Sequence, residues 1–500
     1  MEAGAKTFDR ERFEAVGVWG IALAMALLHM LTNNRYGFHR DELQVLSDAR
    51  HMAWGFVAYP PLTPFLERIG LAIFGVSLIG LRFFSVIAQT LVIVVAGLMT
   101  REFGGRRLAQ VTAALAVALS PLPLFEGTEF QYSSFDLLWW VLIAYFVIRL
   151  LQTGNPRWWL AVGAAAGLGL MTKYTILFFL AALAGGLLLT PSRRYLRSFW
   201  FWAAAALALL IFLPNLLWQI RHDFISLDFL RHIHARDVRL GRANGFLRDQ
   251  LLLCINPLAA PLCFVALWQF WRGRYRLLTW MYLIPLALFL MARGRGYYLA
   301  AAYPMLIAMG AVAGERWVRF RRRPWIAEAA FFTGLAVYGL LAIAALVPLA
   351  ASGPLRDFGL RTNGDLREEI GWNELVGQVA AIRAALPPGQ RANVGILVGN
   401  YGEQGAVEIF GPAYQLPVPI SMTNSAWLRG YPQPPPTTLI VLGFSQKGAD
   451  RAFASCRKAG EIHNPGGISN EESSAHPDIF VCNGPRLPWP DFWKTYQNFG

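Results

Sequence analysis

The sequence predicts an α-helical polytopic membrane protein that carries a small C-terminal α/β domain. Three observations support that reading. Of the 500 residues, 55% are hydrophobic and 15% charged, against roughly 25% charged in an average soluble protein. Apolar runs fill the first 350 residues, and many approach the roughly 20 residues a helix needs to cross a bilayer. After Gly353-Pro354 the character changes, with short apolar segments bounded by Pro and Gly.

Taken in order, spans are expected near 14–32, 82–100, 107–123, 132–150, 157–172, 175–190, 199–220, 247–271, 276–292, 297–314 and 325–350, about eleven in all. Residues 1–13 are polar and mixed in charge. No small-residue cleavage site follows the first apolar stretch, so it is expected to stay as a helix. Alternate gaps are short and basic: Arg101/Arg106/Arg107, Arg149/Arg157, Arg193/Arg194/Arg197, Arg272/Arg274/Arg276 and Arg316 to Arg323. The positive-inside rule makes that set cytoplasmic. The N-terminus is then cytoplasmic, and the gaps 33–81 and 221–246 and the tail face outward. The net charge of +14 is accounted for by these topology-setting clusters and by anionic headgroups, with no nucleic-acid partner.

Within the first outer gap, 41–54 and 61–75 mix apolar and polar residues at helical spacing, as two helices lying in the membrane interface would. The gap 221–246 is basic although it faces outward, which fits either an anionic ligand or plain solvation. The boundary between the membrane module and the tail is placed at 351/352. In the tail, 372–386 and 402–410 read as helices, and 393–398 and 438–442 as buried strands. Cys254 and Cys263 lie in an apolar run and read as buried thiols. Cys456 and Cys482 lie in the tail, where an oxidising compartment permits a disulfide.

Four features share the outer side. Asp41-Glu42 follows the first span. A carboxylate there can take a proton from an attacking hydroxyl, or Asp41 can cap a helix. Glu129 and Asp136 flank Gln131 to Phe135, with Asp136 at the start of an apolar run, either as a cap or as an acid facing a cavity. Lys173 lies between two apolar segments, where it can hold a phosphate as a point charge or snorkel to the interface. Arg293-Gly294-Arg295-Gly296-Tyr297-Tyr298 can grip a phosphate and flank a sugar or lipid with rings, or form an aromatic belt. No His/Cys cluster has metal-ligand spacing. His232 and His234, two apart, suit one face of a strand and not a closed site. A divalent ion at Asp41 or Asp136 is neither required nor excluded. Acids plus cations at a membrane surface suit transfer of a sugar from a lipid phosphate: cations stabilise the departing phosphate and a carboxylate activates the acceptor.

Asp41-Glu42-Leu43, Arg50-His51-Met52-Ala53-Trp54-Gly55 and Tyr59-Pro60-Pro61-Leu62 together resemble the first external loop of the bacterial dolichyl-phosphate-mannose protein mannosyltransferase-like glycosyltransferases. These belong to the GT-C superfamily, which includes the lipid A aminoarabinose transferase. The resemblance continues through Arg82, Asp136, Leu170 to Tyr174, Arg295 to Tyr298, Tyr303-Pro304, Asn400 to Ala406 and the Cys456/Cys482 pair. It implies a GT-C membrane module with two juxtamembrane helices and a periplasmic domain, in the bacterial inner membrane. The implied activity is periplasmic transfer of a sugar from a polyprenyl-phosphate-linked donor to a lipid, polysaccharide or protein acceptor, with inversion and no certain cofactor. Asp41, Glu42 and Asp136 fall at catalytic positions. Arg40, Tyr59, Lys173, Arg293, Arg295, Tyr297 and Tyr298 are placed with the substrate-binding groups. Phe135 stands where many relatives have Pro, and Arg295 where many have Lys. The competing reading is a multi-pass transporter or lipid flippase. It is disfavoured because the ionisable groups cluster at one surface and no half-repeat is visible.

Overall fold

A computed structural model describes residues 12–500; most of the polar N-terminal stretch lies outside the described residues. The chain divides into two compact units. One comprises the chain up to Thr32 with Arg82–Trp218 and Arg236–Leu349; the other comprises Asn33–Leu81, Gln219–Ala235 and Ala350–Gly500. The compositional change anticipated at 351/352 thus falls beside one junction, while the whole of the first outer gap and part of the second group with the tail.

The first unit is helical. Among the described residues six helices are long and apolar enough to cross a membrane: Ala15–Thr32, Leu78–Glu102, Tyr132–Thr153, Phe199–Arg221, Gly296–Arg319 and Pro324–Leu346. Two bent pairs raise the number to eight if each is one span. Six to eight of the expected eleven thus meet the length and composition of a span. Three expected spans are the shorter apolar helices Arg107–Ala118, Trp158–Leu170 and Arg276–Met291; at 12 to 16 residues they rise only about 18–24 Å, less than the ~30 Å hydrocarbon core. Prolines explain two of the breaks. Ser120-Pro121 splits 107–123, and Asn256-Pro257 lies at the break between Phe246–Leu252 and Pro257–Arg272, which is bent by 94°. Proline disfavours a helical residue before it and fits the first helical turn after it.

Burial separates inner helices from outer ones. The apolar windows of Gly296–Arg319 and Tyr132–Thr153 are 83% and 67% buried, those of Phe199–Arg221 and Pro324–Leu346 only 11% and 17%. Helices apolar all round yet uncovered by protein are built for contact with lipid. Inside, Trp140 stacks on Phe179 with ring centroids 4.4 Å apart, and Gly310 lets its helix approach Leu262, whose carbonyl a Cβ would meet at 2.2 Å.

The second unit holds a mixed sheet. Its strands are β1 (Val394–Val398), β2 (Ile420–Ser421), β3 (Thr438–Val441), β4 (Phe453–Glu461) and β5 (Asp478–Pro485). The order is β2-β1-β3-β5-β4, with β1 parallel to β2 and β3, and β5 antiparallel to β3 and β4. β1 and β3 are buried throughout, as continuous apolar runs require. Cys456 on β4 and Cys482 on β5 are directly opposite and joined by a disulfide, whereas Cys254 and Cys263 are free and buried. The two helices anticipated in the first gap are Arg40–Arg50 and Leu62–Phe74, and those of the tail include Trp372–Ala384 and Tyr401–Phe410. The stretch 221–246 is not an open loop: Ile225–Arg239 is a helix. His232 and His234 therefore do not share a strand face as expected, because helical geometry turns residues two apart about 200° from each other.

Candidate active site

In the first unit the chemistry gathers around Lys173. It lies in the turn between the helices Trp158–Leu170 and Ile176–Leu189. The Thr172 hydroxyl holds that turn, accepting from Trp139 Nε1 at 2.9 Å and donating to the Leu168 carbonyl at 2.8 Å. The Lys173 ammonium stands 5.0, 5.2 and 5.0 Å from the ring centroids of Tyr132, Tyr297 and Tyr298. Such contacts stabilise a cation without neutralising it. Its charge also acts on Asp136 and Glu126.

Asp136 is not a helix cap. The helix starts at Tyr132 with Gln131 at the cap position, so Asp136 points from the second turn. It is buried and accepts from Thr175 Oγ1 at 2.8 Å and Trp140 Nε1 at 3.2 Å. Glu126, which sequence reasoning passed over in favour of Glu129, accepts from Ser133 and Ser134, both at 2.9 Å. Its signal was visible as an acid ending the apolar run Pro121 to Phe125. Glu129 instead takes a hydrogen bond from Gln131 Nε2.

Arg295 is engaged within the protein. Its Nε and Nη2 donate to the two oxygens of buried Asp237 at 2.6 and 2.7 Å, the bidentate geometry that distinguishes Arg from Lys. The pair also carries one turn of chain into the next: Gly296 lies so close to Asp249 that a Cβ would meet its Cβ at 2.4 Å, and Gly296 O accepts from Gln250 Nε2 at 2.8 Å. Tyr297 and Tyr298 follow in the turn Gly296–Ala302 and face Lys173. Arg293 is exposed, with a left-handed φ of 49°.

In the second unit Asp41 is likewise not the cap. His39 occupies that position: its ring accepts from the Asp41 N–H at 3.3 Å, while Glu42 reaches back to the His39 N–H at 2.8 Å. This capping box engages the carboxylate of Glu42, which is fully buried. Asp41 is left half-buried on the first turn, where the helix dipole favours an anion. One of its oxygens accepts from the Tyr401 hydroxyl at 2.8 Å. Burial, countered by Arg40 and reinforced by Asp41, pushes the Tyr401 phenol upward, so it stays a donor at neutral pH. Arg40 lies 5.0 Å from the centroid of the Tyr401 ring and pairs with Glu471 and, at 3.6 Å, Glu472.

Tyr59 is buried, and its hydroxyl donates to Asp48 at 2.7 Å; the other Asp48 oxygen accepts from Arg429 at 2.6 Å. Burial carries the Asp48 carboxyl up to about 6 even though Arg429 and Tyr59 oppose it. Glu67, on the second first-loop helix, is buried and pushed up to about 8, first by burial and then by the Glu42 charge. Tyr401, Asp48 and Glu67 were all missed in the sequence. Tyr401 alone left a trace, within the stretch Asn400 to Ala406. Among the described residues no three His, Cys, Asp or Glu side chains cluster as metal ligands.

Residues 58–218 match the family described as dolichyl-phosphate-mannose-protein mannosyltransferase. The chain is 28% identical over 311 residues to the undecaprenyl phosphate-alpha-4-amino-4-deoxy-L-arabinose arabinosyl transferase of Pseudomonas paraeruginosa, covering 57% of this chain and 55% of that protein. It thus spans about half the length of that relative. To the lipid A galacturonosyltransferase RgtD of Rhizobium johnstonii it is 25% identical over 374 residues, covering 71% of this chain and 74% of that one. Its fold is shared by ArnT from Cupriavidus metallidurans, solved bound to undecaprenyl phosphate, with a TM-score of 0.59 at 14% identity over 93% of this chain and 98% of that one. These matches bear out the resemblance read from the motifs.

Proposed function

We propose that this protein is a membrane glycosyltransferase that moves a sugar from a polyprenyl-phosphate-linked donor to an acceptor hydroxyl. The reaction takes place on the periplasmic face of a bacterial inner membrane, with 1–351 as the catalytic membrane module and 352–500 as the periplasmic domain. Asp41 takes the proton of the acceptor hydroxyl as its oxygen attacks the anomeric carbon. The bond from that carbon to the phosphate oxygen breaks, and the lipid phosphate leaves as an anion needing no proton. Lys173 meets the developing charge on the phosphate. A single displacement inverts the anomeric carbon. The acceptor favoured is a glycolipid headgroup, because one relative's name specifies lipid A.

One observation carries this reading. Two stretches that resemble the family, 41–43 and 400–406, meet: Tyr401 donates to Asp41 at 2.8 Å, and Gly405 rests on the Leu43 backbone. A carboxylate bonded by one donor and still half-exposed is available as a base.

The test is Asp41→Asn in purified protein supplied with an undecaprenyl-phosphate-linked sugar. Transfer is expected to fall by about 100-fold or more, with the thermal unfolding profile retained. Transfer at the wild-type rate would remove Asp41 as the base.

A further inference from the structure

We propose that a cavity of about 280 Å3 in the second unit binds a sugar ring carrying a phosphate and serves as the acceptor subsite; the acceptor role rests on the transferase reading above. The volume is close to the lower bound of small-molecule sites, ~300 Å3, room for one ring and its substituent. The lining supplies what such a ligand needs. Tyr36, Trp372 and Phe410 bring aromatic rings to the wall, Arg35 and Arg356 bring guanidinium groups, and Glu369 brings a carboxylate. The apolar C–H face of a sugar packs on aromatic rings, its hydroxyls donate to carboxylates, and a phosphate takes paired guanidinium donors.

Three details favour a built site over a gap in packing. Gly37 lies so close to the Glu369 carbonyl that a Cβ would stand 2.2 Å from it, so only glycine lets the first loop form this wall. Arg356 Nε is buried and makes no hydrogen bond among the described residues, a donor held ready inside the protein at a cost. Trp372 packs against Gly402 and near the Arg40 Cβ, the chain neighbours of Tyr401 and Asp41. Trp372 thus links the cavity wall to the chain neighbours of the proposed base, although Asp41 and Tyr401 do not themselves line the cavity.

The test uses full-length protein in nanodiscs without donor. Titration calorimetry follows binding of glucose 1-phosphate, and of lipid A incorporated in the same discs. Saturable binding is expected, with glucose at least about tenfold weaker and the R35Q/R356Q variant weakened about tenfold or more. In transfer assays that variant raises the acceptor KM more than it lowers kcat. Competition between the two probes, or saturation by lipid A alone, supports a glycolipid headgroup. Saturation by glucose 1-phosphate alone supports a soluble sugar phosphate as the source. Absence of saturable binding by either probe, or undiminished binding by R35Q/R356Q, overturns the proposal. Because no transfer is needed to read binding, failure of Asp41 as the base leaves this result standing, and failure of binding leaves Asp41 standing.

Discussion

At the scale of single residues, the two centres differ in how their carboxylates are held. Asp136 is buried beside a cation and takes two side-chain hydrogen bonds, so its charge is matched and its geometry fixed. Asp41 is half-buried and takes one hydrogen bond, from Tyr401, which suits a group that must accept a proton and release it. Replacing Tyr401 with Phe removes that bond and keeps the ring over which Arg40 sits. We expect kcat to fall about tenfold with the donor KM unchanged, read from initial rates at varied donor. A change confined to donor KM would place Tyr401 in donor binding instead. Lys173→Met should act in the opposite way: loss of a charge-assisted contact to the phosphate raises the donor KM by roughly 10–100-fold. An unaltered donor KM would show that Lys173 serves only the buried acids Asp136 and Glu126. This division was partly legible in the sequence. Asp136 stands at the start of an apolar run and Lys173 between two, where a charge is conspicuous. The Tyr401 contact was not, because 360 residues separate it from Asp41 and no local pattern announces such a pairing. Arg295 was marked as a phosphate ligand from its neighbours Tyr297 and Tyr298, whereas its bidentate partner Asp237 lay in a stretch read for its basic charge.

At the scale of elements, the helix Arg40–Arg50 is held in place by the helix Tyr401–Phe410. Gly405 is the point of closest approach: a Cβ there would meet the Leu43 carbonyl at 2.3 Å. Gln404 Nε2 donates to Ser47 beside it at 3.1 Å. Gly405→Ala must push the two backbones apart, and overpacking of this kind costs about 1–3 kcal/mol. The expected outcome is a lower midpoint for thermal unfolding of the second unit and, since Asp41 rides on the displaced helix, reduced transfer. An unchanged midpoint would mean the contact is loose. The two first-loop helices and the tail helix were readable because apolar residues recur at helical spacing, and two of the starts are marked, by Pro61 before the second first-loop helix and by Asn400 as the cap of the tail helix. Strands β1 and β3 were readable as short apolar runs. β4 was not, because it is largely exposed and carries Arg457, Lys458 and Glu461, an edge strand protected by charge. Two-residue β2 leaves no period to detect. The helix Ile225–Arg239 escaped for a related reason: its charges outweigh an apolar spacing of Ile225, Phe229 and Ile233 that suits a helix.

At the scale of the whole molecule, the second unit stores several carboxyl groups whose burial opposes ionisation. Burial raises Glu403 to about 8, against hydrogen bonds from Gly399 and Asn400, and raises Glu368 to about 7 and Asp48 to about 6. Their ordinary values are 4.5, 4.5 and 3.8. Between each pair of values the folded protein binds a proton that the unfolded chain does not, so stability declines as pH rises. The contribution is complete below about pH 4 and is lost as pH climbs through 6 for Asp48, 7 for Glu368 and 8 for Glu403. Glu403 is buried and accepts from the Gly399 N–H at 2.8 Å, a bond that a Gln carbonyl can also accept. Glu403→Gln therefore keeps the contact and removes the titration. Relative to wild type, the variant should gain stability from pH 5 to pH 8, on the order of 4 kcal/mol at the upper end, since it no longer has to ionise a buried group. Groups common to both proteins cancel in that difference, including any that titrate in the first unit. Unfolding midpoints of the two proteins, measured side by side at half-unit steps of pH, supply the readout. Parallel curves across that range would show that Glu403 is ionised and satisfied in the native protein, and would locate the pH dependence of the tail elsewhere, with Asp48 and its partner Arg429 the next pair to vary.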